Sequence, residues 1–107
     1  MDDYEITWDI SATDALRTAY ARIKNKYGTT KADKIRIDIV TKVDGLRKMP
    51  TSYPLEPALY HRPEKFRFIK SAEYKIIYHV IEKEHLVIIV DIIHSKQNPN
   101  KLKATFK

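Results

Sequence analysis

The last third of the chain carries two apolar runs that are typical of neighbouring β-strands. Residues 74–81 and 86–93 are mostly apolar, and the four polar residues between them match the length of a hairpin loop. Seven of the eight residues in the second run are apolar, which predicts a strand covered on both faces in the middle of a sheet. The exception, Asp91, needs a polar partner or a position at a solvent-exposed edge of the sheet. Residues 65–69 alternate basic with apolar side chains, so the three segments predict an antiparallel meander.

Apolar residues in the N-terminal part of the chain recur first with the period of a strand and then with the period of a helix. Apolar and polar residues alternate over positions 4–10, which predicts a short first strand. Ser11 and Asp14 are typical of a helix start, because a hydroxyl can cap backbone N–H groups and an acid there favours the helix dipole. We expect this helix to end at Gly28. Its apolar stripe consists of Ala12, Leu16, Ala19 and Ile23.

A second helix is predicted to begin with Thr30 as its cap and to run to about Lys48. Its apolar stripe consists of Ala32, Ile35, Ile39, Val43 and Leu46. The same region also fits a strand, because isoleucines alternate at positions 35, 37 and 39, and Gly45 costs a helix about 1 kcal/mol relative to alanine. Four prolines between positions 50 and 63 predict a loop.

These elements together predict an α+β fold. The order is an N-terminal strand, an α-helical hairpin, a loop and a three-stranded antiparallel meander. Two successive helices packed on one face of such a sheet make a sandwich whose other face is partly open. A chain of 107 residues supports one modest core, so we expect residues 1–107 to form a single domain.

Composition narrows the chemistry of the chain. It has no cysteine, which excludes disulfides and thiolate metal sites. The four histidines show no recurring ligand spacing, and we expect neither a metal nor another cofactor. No apolar run approaches the roughly 20 residues that span a bilayer, and the first residues lack the features of a signal peptide. We therefore expect a cytoplasmic protein with no membrane partner.

Charge is distributed unevenly along the chain. The net charge is +6, but five acids precede the first basic residue, Arg17, and the remainder carries 20 basic and 9 acidic residues, or +11. Such a field attracts a polyanion or an acidic protein. The alternative explanation of the positive charge is that it keeps the protein soluble, since fourteen lysines also suit a solvated surface.

Three segments, taken with the order of elements, resemble the RelE/ParE toxin superfamily over nearly the whole chain. They are residues 66–68 (Phe-Arg-Phe), 74–78 (Tyr-Lys-Ile-Ile-Tyr) and 91–99 (Asp-Ile-Ile-His-Ser-Lys-Gln-Asn-Pro). The resemblance implies the toxin of a type II toxin-antitoxin pair, neutralised by a cognate antitoxin that is encoded nearby. Some members of the superfamily cleave mRNA on the ribosome and others inhibit DNA gyrase, so the resemblance leaves the target open.

Resemblance to the ribonuclease branches implies a site for metal-independent RNA cleavage. His94 falls where one branch has a catalytic histidine, Lys75 where an arginine is usual, and Glu56 where a Glu-Pro pair supplies an acid/base carboxylate. Lysine at position 75 keeps the positive charge but cannot form the two parallel hydrogen bonds that arginine makes to a phosphate. The tyrosines that several branches carry near the C-terminus have no counterpart after Asn98.

The same resemblance implies three nucleic-acid-binding residues, which are Lys65, Arg67 and Lys96. A histidine surrounded by cations suits proton transfer at a phosphate, which narrowly favours RNA cleavage on the ribosome. Without the resemblance, His94 could simply end a strand, and the basic residues could be a solvated edge that discourages aggregation. Inhibition of gyrase by a ParE-like toxin and a non-toxic basic nucleic-acid-binding module are the alternative functions.

Overall fold

A computed structural model describes residues 3–96, which form a four-stranded sheet with two helices on one face. The strands are β1 (Glu5–Trp8), β2 (Arg67–Ser71), β3 (Tyr74–Ile81) and β4 (Leu86–His94). The helices are α1 (Ile10–Tyr27) and α2 (Thr29–Asp44). The predicted α+β class is confirmed. Residues 97–99, on which part of the resemblance rested, lie outside the described residues.

The sheet has the order β1-β4-β3-β2, so the apolar strand β4 is central, as its composition predicted. β2, β3 and β4 form the expected antiparallel meander. β1 pairs in parallel with β4, with Trp8 beside Ile89. Parallel pairing is possible here because α1 and α2 lie between the two strands in the chain and supply a long crossover.

The two helices begin earlier than predicted. α1 has Asp9 at its N-cap position without a side-chain cap, and the predicted capping role of Ser11 is wrong. The Ser11 hydroxyl instead donates a hydrogen bond to the carbonyl oxygen of Val90 at 2.6 Å, which ties α1 to the central strand. Gly28, with φ of 93°, lies directly between the helices, so the second helix begins at Thr29 rather than after a Thr30 cap. That φ is accessible to glycine at little steric cost.

The helical interpretation of residues 30–44 is confirmed over the strand alternative. Ala32, Ile39 and Val43 are buried, whereas Ile37 is 59% exposed, as a period of 3.6 residues requires. α2 ends at Asp44, before the predicted limit, and the chain continues as a 3₁₀ turn from Gly45–Arg47 that buries Leu46.

Each face of the sheet packs against a different part of the chain. We call the face that packs on α1 and α2 the helix face; its strand residues include Tyr74, Tyr78 and Ile92. We call the opposite face the loop face; there Ile77, Val90 and Ile93 pack against side chains of the segment between α2 and β2. The face that was expected to be partly open therefore carries a small second core.

Within residues 3–96, no helix combines the length and apolar character needed to cross a bilayer.

Candidate functional site

A buried ion pair joins the loop before β2 to the sheet. Glu56 Oε1 lies 2.7 Å from Lys75 Nζ, and Glu56 Oε2 accepts a hydrogen bond from the Ala58 backbone N–H at 3.0 Å. The backbone N–H of Glu56 donates to the Phe66 carbonyl oxygen at 2.8 Å. Only 3% of the Glu56 side chain is exposed, against 24% for Lys75. Both carboxylate oxygens are thus engaged inside the protein, and the pair holds the loop against the sheet.

Local sequence explains how these two side chains meet. Glu56 precedes a 3₁₀ turn from Pro57–Leu59, and its carboxylate caps that turn while Pro57 supplies a preset backbone angle. Lys75 alternates with Tyr74 and Ile76 along β3, so its side chain lies on the loop face. There its ammonium group lies 4.4 Å from the centre of the Phe68 ring, a cation–π contact that adds to the ion pair.

His94 ends β4 beside the start of β3. It pairs with Tyr74 in the strand register, and its ring meets the Tyr74 ring edge-on at 5.2 Å between centres. The backbone N–H of Lys96 donates to His94 Nδ1 at 3.1 Å, and His94 Nε2 lies 3.3 Å from Glu73 Oε2. Since Nδ1 accepts a hydrogen bond, the neutral ring carries its proton on Nε2, facing the Glu73 carboxylate.

A β-bulge decides on which face His94 lies. Ile77 pairs with Asp91 and Tyr78 pairs with Ile89, so Val90 is an extra residue without a partner position in β3. Beyond the bulge the alternation of β4 is inverted, and Ile92 and His94 share the helix face with Ile89. The bulge also gives Asp91 the polar partner that its position demanded, because Asp91 Oδ1 accepts from the Ile92 backbone N–H at 2.8 Å.

The structure therefore brings two of the three candidate catalytic residues together and separates the third. Glu56 and Lys75 meet on the loop face, whereas His94 lies on the helix face. Side chains on opposite faces of a sheet diverge from the backbone, so one phosphate group cannot contact all three residues.

The three candidate nucleic-acid-binding residues do not converge on one point either. Arg67 pairs across the sheet with Tyr78, and its guanidinium donates to the Tyr53 carbonyl oxygen at 2.6 Å. Lys65 is exposed beside a pocket of about 290 Å³ under the loop before β2. Lys96 is exposed just after β4, next to His94.

Comparison with known proteins identifies the family. The family model described as ParE toxin of type II toxin-antitoxin system, parDE, matches residues 6–99. The chain belongs to the ParE toxin family. It is the toxin component of a type II toxin-antitoxin system, and the resemblance to the RelE/ParE superfamily is confirmed. No curated protein sequence matches the chain.

Solved structures of related toxins have the same fold as this ParE-family chain. The chromosomal ParDE system from P. aeruginosa matches with a TM-score of 0.72 and 21% identity, over 87% of this chain and 97% of that one. The RelBE2 toxin-antitoxin complex from Mycobacterium tuberculosis matches with a TM-score of 0.62 and 18% identity, over 88% and 93%. The isolated E. coli RelE toxin matches with a TM-score of 0.58 and 18% identity, over 96% of each chain.

The ParE-family fold also assembles a basic groove that sequence reasoning missed. It has a volume of about 390 Å³ and lies between the helical hairpin and the end of the sheet where His94 is placed. The helices contribute three cations, Arg22, Lys26 and Lys31, to its lining. Arg22 and Lys26 are four residues apart on one helix face, and Lys31 follows just after the Gly28 connection. The spacing of these three cations across a tight helix connection is the feature of the sequence from which the groove could have been predicted.

Burial shifts the pKa of two further side chains of this toxin. Burial raises the pKa of Tyr78, whose hydroxyl donates to the Pro50 carbonyl oxygen at 2.6 Å and fastens the loop after α2. Burial lowers the pKa of His79 and outweighs the attraction of the Glu64 and Asp9 carboxylates. The side chain of Tyr78 is fully buried on the helix face of the sheet.

Proposed function

We propose that this toxin stops growth by binding its target and holding that target in an inactive state, as ParE-like gyrase inhibitors do, rather than by cleaving RNA. One observation carries the proposal: the acid/base candidates Glu56 and His94 lie on opposite faces of the sheet. Inhibition by binding requires a surface and no assembled set of acid, base and cations.

The chemistry of RNA cleavage explains why this separation matters. Acid–base catalysis of the attack of a 2′-hydroxyl on the adjacent phosphate needs a base and an acid that each lie within about 2.6–3.2 Å of a reacting oxygen in the complex with RNA, so the two groups must face the same phosphate. Glu56 is buried, and both of its oxygens already accept hydrogen bonds, from Lys75 and from the Ala58 backbone N–H. A carboxylate held in this way is a structural group. The charge of Lys75 is neutralised by this carboxylate and is not directed at a phosphate.

RNA cleavage on the ribosome is the second candidate function, and the basic groove favours it. His94 shares that groove with Arg22, Lys26, Lys31 and Lys96, which could stabilise the extra negative charge of a phosphorane. In this version of the reaction, His94 acts without Glu56 and Lys75.

Brief induction of the toxin in cells separates the two functions. We expect growth arrest with gyrase trapped on cleaved DNA, detected as covalent gyrase–DNA complexes, and no new RNA 5′ ends. His94→Ala should leave this activity largely intact, as should His85→Ala, a control histidine that stacks on Tyr4. New 5′ ends within translated frames that disappear only in His94→Ala would overturn the proposal and establish RNA cleavage. Growth arrest with neither product would also overturn it.

We also infer that a cognate antitoxin covers the apolar side chains exposed between α2 and β2. The similar ParDE and RelBE2 structures are toxin-antitoxin systems, which supports such a partner. The exposed side chains of this segment are Met49, Tyr53, Leu55 and Tyr60. An acidic, amphipathic segment would cover them while meeting the positive charge that follows Arg17.

This partnership is tested with the product of a small neighbouring reading frame. Coexpression should relieve toxicity, and the two proteins should copurify. Met49→Asp with Tyr60→Asp should weaken the complex at least tenfold, because buried carboxylates there would lose hydration. Ile10→Asp is the control, since Ile10 is similarly exposed but lies at the start of α1, outside this segment. Equal losses in both variants would contradict the assigned surface.

A further inference from the structure

The basic groove on the helix face gathers cations that form no salt bridge with an acid among the described residues. Elsewhere on the helices, arginines bind an acid three residues earlier, as in Arg17–Asp14 and Arg36–Asp33. Within residues 3–96, by contrast, none of the groove cations forms a salt bridge; these cations are Arg22, Lys26, Lys31 and Lys96. The groove therefore keeps a positive charge that the protein itself does not neutralise.

An exposed aromatic ring lies among these cations. Tyr27, at the end of α1, is 56% exposed. The ammonium groups of Lys31 and Lys26 lie 4.3 and 5.4 Å from the centre of its ring. The like charges of two neighbouring lysines repel each other, and an anion placed between them would relieve this repulsion. Glu73 is the single carboxylate among the described residues that line the groove.

We propose that this groove binds the phosphate backbone of single-stranded nucleic acid without sequence preference. Lysines act as point charges on phosphate, and an exposed ring beside them offers a base a stacking surface. An acidic peptide would satisfy the charges but would leave the ring without a planar partner. The proposal does not depend on whether gyrase or mRNA is the target.

The proposal is tested by fluorescence anisotropy with labelled oligothymidine and the full-length toxin made by cell-free synthesis. Four phosphate contacts predict a slope of about −2.8 for log affinity against log salt, or a loss of about 50-fold between about 50 and 200 mM salt. Lys26→Gln, Lys31→Gln and Lys96→Gln combined should reduce the slope to about −0.7, the value for one remaining contact. Thermal melting checks that each variant is folded.

A matched variant separates the groove from net charge. Lys24→Gln, Lys48→Gln and Lys83→Gln combined remove the same charge from exposed lysines outside the groove and should leave the slope near its original value. Glu73→Gln should tighten binding about 1.4- to 5-fold, because it removes a carboxylate that repels phosphate. Equal losses in the two triple variants, no gain in Glu73→Gln, or equally strong competition by polyglutamate of the same charge would each overturn the proposal.

Discussion

Replacing Lys75 with methionine should destabilise the protein more than replacing Glu56 with glutamine, although both changes break the same ion pair. In Lys75→Met the carboxylate stays 3% exposed and loses its cation. A buried charge left without its partner costs about 3–5 kcal/mol; we expect about 3, since the 24% exposure of Lys75 admits some water. In Glu56→Gln the flexible lysine can turn its ammonium group into solvent, and the glutamine oxygen can still cap Ala58. We therefore expect a cost of about 1 kcal/mol.

Urea unfolding followed by far-UV circular dichroism measures these differences. Lys70→Met is the matched control, because Lys70 lies directly across from Lys75 in the strand register but is exposed. It should change the free energy of unfolding by no more than about 0.5 kcal/mol. The double variant of Lys75 and Glu56 should be close to Glu56→Gln alone, since no unpaired carboxylate remains. If Lys75→Met costs no more than Glu56→Gln, the reasoning from burial is refuted.

Three further predictions concern the backbone, a buried hydroxyl and pH. Gly28→Ala should destabilise by about 1–2 kcal/mol because φ is 93° there, whereas Gly45→Ala, at φ of −62° with open space around it, should stabilise by about 0.4–1 kcal/mol; urea midpoints compare the two. Tyr78→Phe should cost about 1–3 kcal/mol because the buried Pro50 carbonyl oxygen loses its donor, and an unchanged midpoint would contradict that role. Burial lowers the pKa of His79 below its ordinary value of 6.5, so the unfolded chain takes up the proton first. The contribution of His79 to stability is therefore complete above about pH 6.5 and is lost as the pH falls from there through the lowered pKa. His79→Gln should flatten the stability profile in this range, and an unaltered profile would exclude the effect.

Local patterns were sufficient to predict most of the elements. The bounds of β3 follow from an uninterrupted apolar run that ends at a polar hairpin loop, and this information lies within a few residues. The start of α1 was missed because Ser11 meets a partner far along the chain, the Val90 carbonyl oxygen, instead of capping its own helix. The choice between helix and strand at Ile37 was settled by packing, since only a helix leaves Ile37 exposed while both Ile35 and Ile39 pack on the core.

Sequence alone predicted most of the strands and helices, the α+β class and the residue types that a phosphate-directed site would need, because strand and helix periods are local properties. Only the tertiary structure decided how those residues are grouped. Regular alternation along β4 would have placed His94 on the loop face with Lys75 and Glu56. The one-residue bulge at Val90 inverts the alternation and moves His94 to the helix face, where cations from α1 and α2 surround it. A single extra residue has this effect because side chains in a strand repeat every two residues.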